Sequence, residues 1–290
     1  MKMRGCLLGV VIGVLLVSAI VWLFSDFEIS AKGNRVGLID IKGTIINSQD
    51  TVRQIKDWRK DSTIKAIVIR IDSPGGAVGP SQEIYREIRR TIGTKPVVAS
   101  MGSIAASGGY YIASASSYIV ANPGTITGSI GVIINLPNLR ELFAKIGYQM
   151  TTIKSGQFKD IGNVARDMTP EEKELVQATI DETYRQFVRD VAAGRNLSED
   201  DVRKVADGRI IMGEKALEVK LVDQLGNFED AVAKAGELAK ISGEPNMVNA
   251  KKKKLSLLDI IAGSDVGDRV SDLIFDSSAF VRYQIPVLDR

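Results

Sequence analysis

An α/β fold is what this sequence predicts. After residue 35, short Val- and Ile-rich runs alternate with amphipathic helical stretches, and the connections between them are brief. The strand candidates are residues 36–41, 66–71, 96–100, 118–121, 131–134 and 148–153. Helices are expected between them at 50–59, 80–92, 108–115 and 138–146. A longer helix is expected over 170–193, because Thr169 and Glu172 frame Pro170 as a capping box. Leu175, Val176, Thr179, Ile180, Phe187, Val188 and Val191 then recur at helical steps, and Gly194 is the expected stop. Two further helical stretches, 199–205 and 229–241, carry the core to about residue 243.

The ends of the chain have a different character. Residues 6–24 hold no charge over 19 positions, close to the ~20 residues a helix needs to cross a bilayer. Lys2 and Arg4 precede the run, so the positive-inside rule keeps the N-terminus cytoplasmic and places everything after Asp26 outside. The rival reading is a cleaved signal peptide, for which Val17-Ser18-Ala19 loosely fits a cleavage site, but the apolar run continues through Phe24. The resulting division is an anchor over 1–25, a linker over 26–35, the main domain over 36–243 and a basic linker and tail over 244–290. Lys251 to Lys254 reads as a solvated linker or a contact to anionic membrane lipid, and the apolar tail after Leu255 needs somewhere to be buried.

Composition removes several function classes. The chain has 44% hydrophobic and 25% charged residues, ordinary for a folded protein, and a net charge of only +3, which argues against a nucleic-acid partner. It has no histidine, which excludes a Ser-His-Asp triad and the commonest metal ligand together. Its one cysteine, Cys6, lies in the apolar run and allows neither an intrachain disulfide nor a Cys-rich zinc site. No metal or cofactor is expected.

Three segments carry chemistry. Arg70-Ile71-Asp72-Ser73-Pro74-Gly75-Gly76 ends a strand with two glycines, which let backbone N–H groups face a substrate oxygen; alone, the same letters also make an ordinary turn. The stretch from Met101 to Ala113 places Ser107 where a strand gives way to a helix. Orphan N–H groups there favour developing negative charge, and the N–H of Gly108 is at hand; alone, such a serine also serves as an N-cap. Lys154-Ser-Gly-Gln-Phe158-Lys159-Asp160 forms a loop before the long helix, and a lysine there acts as a base only if burial or neighbouring donors keep it neutral.

In combination these segments resemble the signal peptide peptidase A family, relatives of the Clp protease and crotonase fold. The resemblance spans residues 35–228 and rests on Asp72-Ser-Pro-Gly-Gly76, Met101 to Tyr111, Thr127-Gly-Ser-Ile-Gly131 and Ser155 to Asp160, in the family's order. It implies a repeated ββα superhelix with Ser107 as nucleophile, Lys159 as general base, Ser129 orienting the lysine amine, and Gly75 or Gly76 with Gly108 forming the oxyanion hole. The serine precedes the lysine by 52 residues, the short single-repeat form, for which the resemblance implies a ring- or bowl-shaped homo-oligomer. It further implies hydrophobic remnant signal peptides as substrates and a single-pass protein of the bacterial cytoplasmic membrane with its catalytic domain outside. The competing functions are a related Ser-Lys protease of membrane proteins, an acyl-thioester enzyme of the crotonase type and an inactive peptide-binding scaffold.

Overall fold

The computed structural model describes residues 34–249 and the strand 282–284, and in it the predicted alternation becomes a mostly parallel sheet packed by helices. The first half runs β1 (Arg35–Lys42), α1 (Gln49–Lys60), β2 (Ile64–Ser73), β3 (Gly75–Ala77), α2 (Val78–Thr91), β4 (Val97–Ala106), α3 (Gly108–Ser114), β5 (Tyr118–Ala121) and β6 (Ile126–Gly128). The second half runs α4 (Arg140–Lys145), α5 (Pro170–Arg195), α6 (Glu199–Arg203), β7 (Ile210–Met212), α7 (Gly213–Glu218), β8 (Gln224–Leu225), α8 (Phe228–Leu238), β9 (Asn246–Asn249) and β10 (Arg282–Gln284).

The sheet order is β7-β6-β4-β2-β1-β9, antiparallel only where β6 meets β7. Its two faces follow from the two-residue period of strands. Ile67, Ile69 and Ile71 of β2 lie in the larger core with Phe187, Val188 and Val191 of α5, whereas Ala66 and Val68 pack with Ala231, Val232 and Ala235 of α8. Burial on both faces explains why β2 and β4 read as near-continuous apolar runs.

β4 is the strand that positions the site. One of its edges pairs first with β5, through Val98–Met101, and then with β6, through Ile104–Ala106. The chain bridges the two pairings with a turn in which the Thr125 hydroxyl donates to the Gly102 carbonyl at 2.7 Å. On the opposite edge the β2–β4 register shifts between Ile71 and Ser73, and the Ile104 N–H donates to Asp72 Oδ1 at 3.1 Å.

The structure departs from several sequence expectations for identifiable reasons. Residues 131–134 and 148–153 form no strand element; the sixth strand lies instead at Ile126–Gly128, where β4 has a free edge. Residues 148–153 are exposed throughout, with Ile153 at 96% exposure, and find no strand edge to pair with among the described residues. Thr169 and Glu172 do form the capping box of α5, but Gly194 does not end the helix. It lies inside α5, where a Cβ would sit 2.1 Å from the Ser114 carbonyl oxygen, and the left-handed cap is Asn196. Glycine here allows close packing of α5 on α3. The sheet also takes its edge strand β9 from just past residue 243.

Residues 1–33, which include the apolar run 6–24, and residues 251–254 lie outside the described residues. Among those described, no helix is long and apolar enough to cross a membrane. Part of the tail is described: β10 pairs antiparallel with β3, placing Tyr283 opposite Gly76 and Gln284 opposite Gly75.

Candidate active site

Ser107 is the first residue after β4 and the last before α3, and it turns the chain sharply between them. Its φ of 52° with ψ of −117° is unusual for a residue bearing a side chain, a conformation that survives only where surrounding contacts enforce it. Those contacts are present. The Ser107 N–H donates to the Gly128 carbonyl at 2.8 Å, and its own carbonyl accepts from Tyr111 N–H at 2.8 Å. Tyr110 and Tyr111, fully buried, hold α3 in place. The Tyr110 hydroxyl donates to the Leu221 carbonyl at 3.0 Å, and the Tyr111 hydroxyl donates to Asp190 of α5. The Tyr85 hydroxyl donates to the Asp190 carbonyl at 2.8 Å, and burial together with the Asp190 charge pushes its phenol up to about 12. Ser107 itself is 1% exposed, and its Oγ makes no hydrogen bond with any described residue. A buried hydroxyl left unpaired is costly, which is why such groups concentrate where function needs them.

The glycines stand beside it. A Cβ at Gly108 would fall 2.8 Å from Ser81 Oγ and 3.2 Å from both the Gly75 Cα and the Gly76 nitrogen, so α3 begins against the β3 backbone. Gly75 and Gly76 have φ of 105° and 157°, which glycine adopts freely. The Gly75 N–H is already engaged, donating to Ser73 Oγ at 3.1 Å, while the Ser73 hydroxyl donates to the Gly43 carbonyl at 2.6 Å. Gly76 is flanked as well, by Ile45 on one side of β3 and by Tyr283 of β10 on the other. Ser73 is the shaping residue that sequence reasoning did not single out; its position two residues before a glycine is the signature of a hydroxyl-capped turn.

Ser129 is brought to the same corner. Ala106 pairs with Gly128 at the end of the β4–β6 ladder, so Ser107 and Ser129 each follow the last paired residue. Ser129 also has positive φ, 49°, and its N–H donates to the Arg209 carbonyl at 2.8 Å.

Lys159 is not joined to this cluster within the chain. It sits in the exposed turn after Gly156, with its N–H on the Gly156 carbonyl at 3.2 Å, and its ammonium makes no hydrogen bond or ion pair among the described residues. The arm that carries it, from Leu136 to Asn163, exposes Leu142, Ile146, Tyr148, Met150, Ile153 and Phe158. Beside the lysine, Asp160 is held by Arg166 and Lys154, whose hydrogen bonds keep its carboxyl well below the usual carboxylate range. No cluster of His, Cys, Asp and Glu suited to a metal ion occurs among the described residues.

Residues 90–242 match the sequence profile of Peptidase family S49. A protease of Synechocystis, provisionally named slr0021, is 42% identical over 82% of this chain and 86% of its own length. The chloroplastic serine protease SPPA of Arabidopsis thaliana is 37% identical over 78% of this chain but only 34% of its own length. An Enterococcus faecium protein, provisionally named signal peptide peptidase SppA, is 39% identical over 64% of this chain and 54% of its own. With a profile match over half the chain and such extended identity, the strained serine beside paired glycines belongs to a serine protease, and the chain is a member of Peptidase family S49, of the signal peptide peptidase A type.

Proposed function

We propose that the protein is a membrane-anchored endopeptidase that cleaves hydrophobic peptides, remnant signal peptides among them, with a Ser107–Lys159 dyad. The observation that carries the reading is Ser107: a buried, unpaired hydroxyl on a strained strand-to-helix turn, beside Gly76 and Gly108. The absence of histidine leaves a lysine as the base suited to work near neutral pH, and Lys159 lies in the segment that matches the family motif.

The neutral Lys159 amine takes the Ser107 Oγ proton as Oγ attacks the peptide carbonyl carbon, and the N–H groups of Gly76 and Gly108 hold the oxyanion. Collapse of the tetrahedral intermediate breaks the C–N bond, and the lysine returns the proton to the departing amine. Lys159 then deprotonates a water that hydrolyses the ester, restoring the serine. Ser129, at the same corner, orients the lysine amine.

The pairing of β3 supports an extended substrate. Ile45 occupies one side, with its N–H on the Gly75 carbonyl at 2.8 Å and its carbonyl accepting from Ala77 N–H at 2.7 Å. The other side receives β10 in antiparallel register, the arrangement a peptide would take by adding a strand. The parallel-rich sheet fits a Clp protease-like ββα architecture, and the exposed apolar arm 136–163 fits a homo-oligomer in which another copy covers it. In that assembly the lysine of one copy meets the serine of the next. Residues 6–24 serve as the anchor, placing the site outside the bacterial cytoplasmic membrane next to its substrates.

Digestion of hydrophobic peptides by the wild type, Ser107→Ala and Lys159→Ala tests the reading. Each substitution is expected to lower kcat by about 10³-fold or more while leaving the fold intact. Retained turnover in Lys159→Ala refutes the lysine as base.

A further inference from the structure

We infer that Arg166 is a positioning residue for the catalytic lysine: its guanidinium ties the Lys159–Asp160 segment to the capped end of α5 and keeps the Asp160 carboxylate away from the lysine ammonium. The inference rests on the reading of Lys159 as the general base.

The arm that bears Lys159 lacks a core of its own, so something else must fix the lysine backbone. Arg166 makes two forked contacts. Toward Asp160, Nε donates to Oδ2 at 3.0 Å, and Nη2 donates to Oδ1 at 2.8 Å and to the main-chain carbonyl at 3.3 Å. Toward Glu172, Nη1 donates to Oε2 at 2.8 Å and Nη2 to Oε1 at 2.5 Å. Nη1 also donates to the Asp167 carbonyl at 3.0 Å. Glu172 is itself immobilised: its Oε2 accepts from Thr169 N–H at 2.9 Å, and its N–H donates to Thr169 Oγ1 at 3.2 Å. α5 is rooted in the core through Phe187, Val188 and Val191, so a continuous set of hydrogen bonds runs from the core to the residue next to Lys159. An exposed ion pair generally contributes little, but Glu172 is 2% exposed and the Asp160 side chain 12%, and both pairings are bidentate.

The charges matter as much as the geometry. A free carboxylate one residue from Lys159 would attract its ammonium and favour the protonated form, which cannot act as a base. Both oxygens of Asp160 are engaged instead, by Arg166 and by Lys154, whose Nζ donates to Oδ1 at 2.5 Å and to the Gln157 carbonyl at 2.8 Å. These two cations face Asp160 directly; Glu172 lies beyond Arg166 on α5, and Asp167 pairs with Arg140 of α4. Arg166 and the main-chain N–H of Thr169 lower the Glu172 carboxyl to about 2, so the clamp stays charged wherever the enzyme works. Lysine at position 166 would keep the charge but lose the fork.

The test is kcat/KM against pH for the full chain on a hydrophobic peptide, comparing wild type, Arg166→Gln, Arg166→Lys, Asp160→Asn and the double variant Arg166→Gln/Asp160→Asn. Arg166→Gln is expected to lower kcat about 10- to 100-fold at neutral pH with KM nearly unchanged, and to move the acid limb up by about one unit. The double variant should bring the limb back, because the carboxylate that holds the proton is gone. Arg166→Lys should leave the limb in place while kcat falls. A limb that does not move in Arg166→Gln, or that stays displaced in the double variant, overturns the inference. If Arg166→Gln fails to fold, Asp160→Asn decides: a limb left in place with kcat lowered supports the inference, and a limb that moves down refutes it, because the wild-type carboxylate would then still be holding the proton on the lysine. Lys159→Ala separates the two levels, since turnover retained there removes the lysine base, whereas a dead Lys159→Ala with an unmoved Arg166→Gln limb removes only the role of Arg166.

Discussion

If the lysine of one copy serves the serine of another, two inactive variants should repair each other. Ser107→Ala retains an intact Lys159, and Lys159→Ala retains an intact Ser107. The structure motivates the experiment in two ways: Ser107 Oγ is buried without a hydrogen-bond partner among the described residues, and Lys159 lies on an exposed arm. The magnitude follows from counting interfaces. In an equimolar mixture assembling at random, half of the serine positions are intact, and half of those face an intact lysine. About one quarter of the sites regain the dyad, so activity should return to about 25% of wild type in a closed heterologous ring. The assay is peptide cleavage after the two purified variants are unfolded and refolded together, with each variant refolded alone as the control. A mixture as inactive as its components would refute assembly across copies and require the arm to fold back onto its own serine.

Activity should rise toward alkaline pH, because Lys159 must lose its proton to act, and a flat or acid-optimal profile of kcat/KM would remove it as the base. Stability has a separate acid limit. The Glu172 carboxyl is lowered from 4.5 to about 2, so its contribution is present above about 4.5 and lost as pH falls through 2; a melting temperature that does not decline over that window contradicts the Arg166–Glu172 pairing. Gly194→Ala should destabilise the protein by about 1–3 kcal/mol, since its Cβ would overlap the Ser114 carbonyl, and urea unfolding with an unchanged midpoint would show that α5 shifts freely. Truncation after Lys254 removes β10 and leaves the β3 edge free. Cleavage of short peptides should then increase several-fold, and unchanged kcat/KM would mean that the tail does not compete with substrate.

Much of the site was legible because its signals are local. The end of β2, the Pro-Gly-Gly turn, the serine after β4 and the Thr169/Glu172 cap each express themselves within a few residues, through side-chain period, glycine or cap chemistry. What the sequence concealed is non-local. β3 is three residues of Gly and Ala with no side-chain pattern to read, and it is a strand only because Ile45 and β10 flank it. β6 was displaced from residues 131–134 to Ile126–Gly128 because a free edge of β4, rather than apolar content, decides where a short strand forms. Gly194 looked like a stop and proved to be a packing contact, a distinction that depends on Ser114, eighty residues earlier.

From the sequence by itself came the α/β class, the exclusion of histidine chemistry, and the serine, lysine and glycines that the family resemblance names. These depend on residue identity and short spacing, which a linear chain displays in full. Only the tertiary structure decided that Ser107 is strained and unpaired, that the Gly75 N–H is held by Ser73 while Gly76 lies beside Gly108, that Ser129 shares the corner, and that Lys159 is carried on an exposed apolar arm. Hydrogen-bond satisfaction and burial are properties of neighbours in space. For this chain those neighbours lie tens of residues apart, where no local pattern of residues announces them.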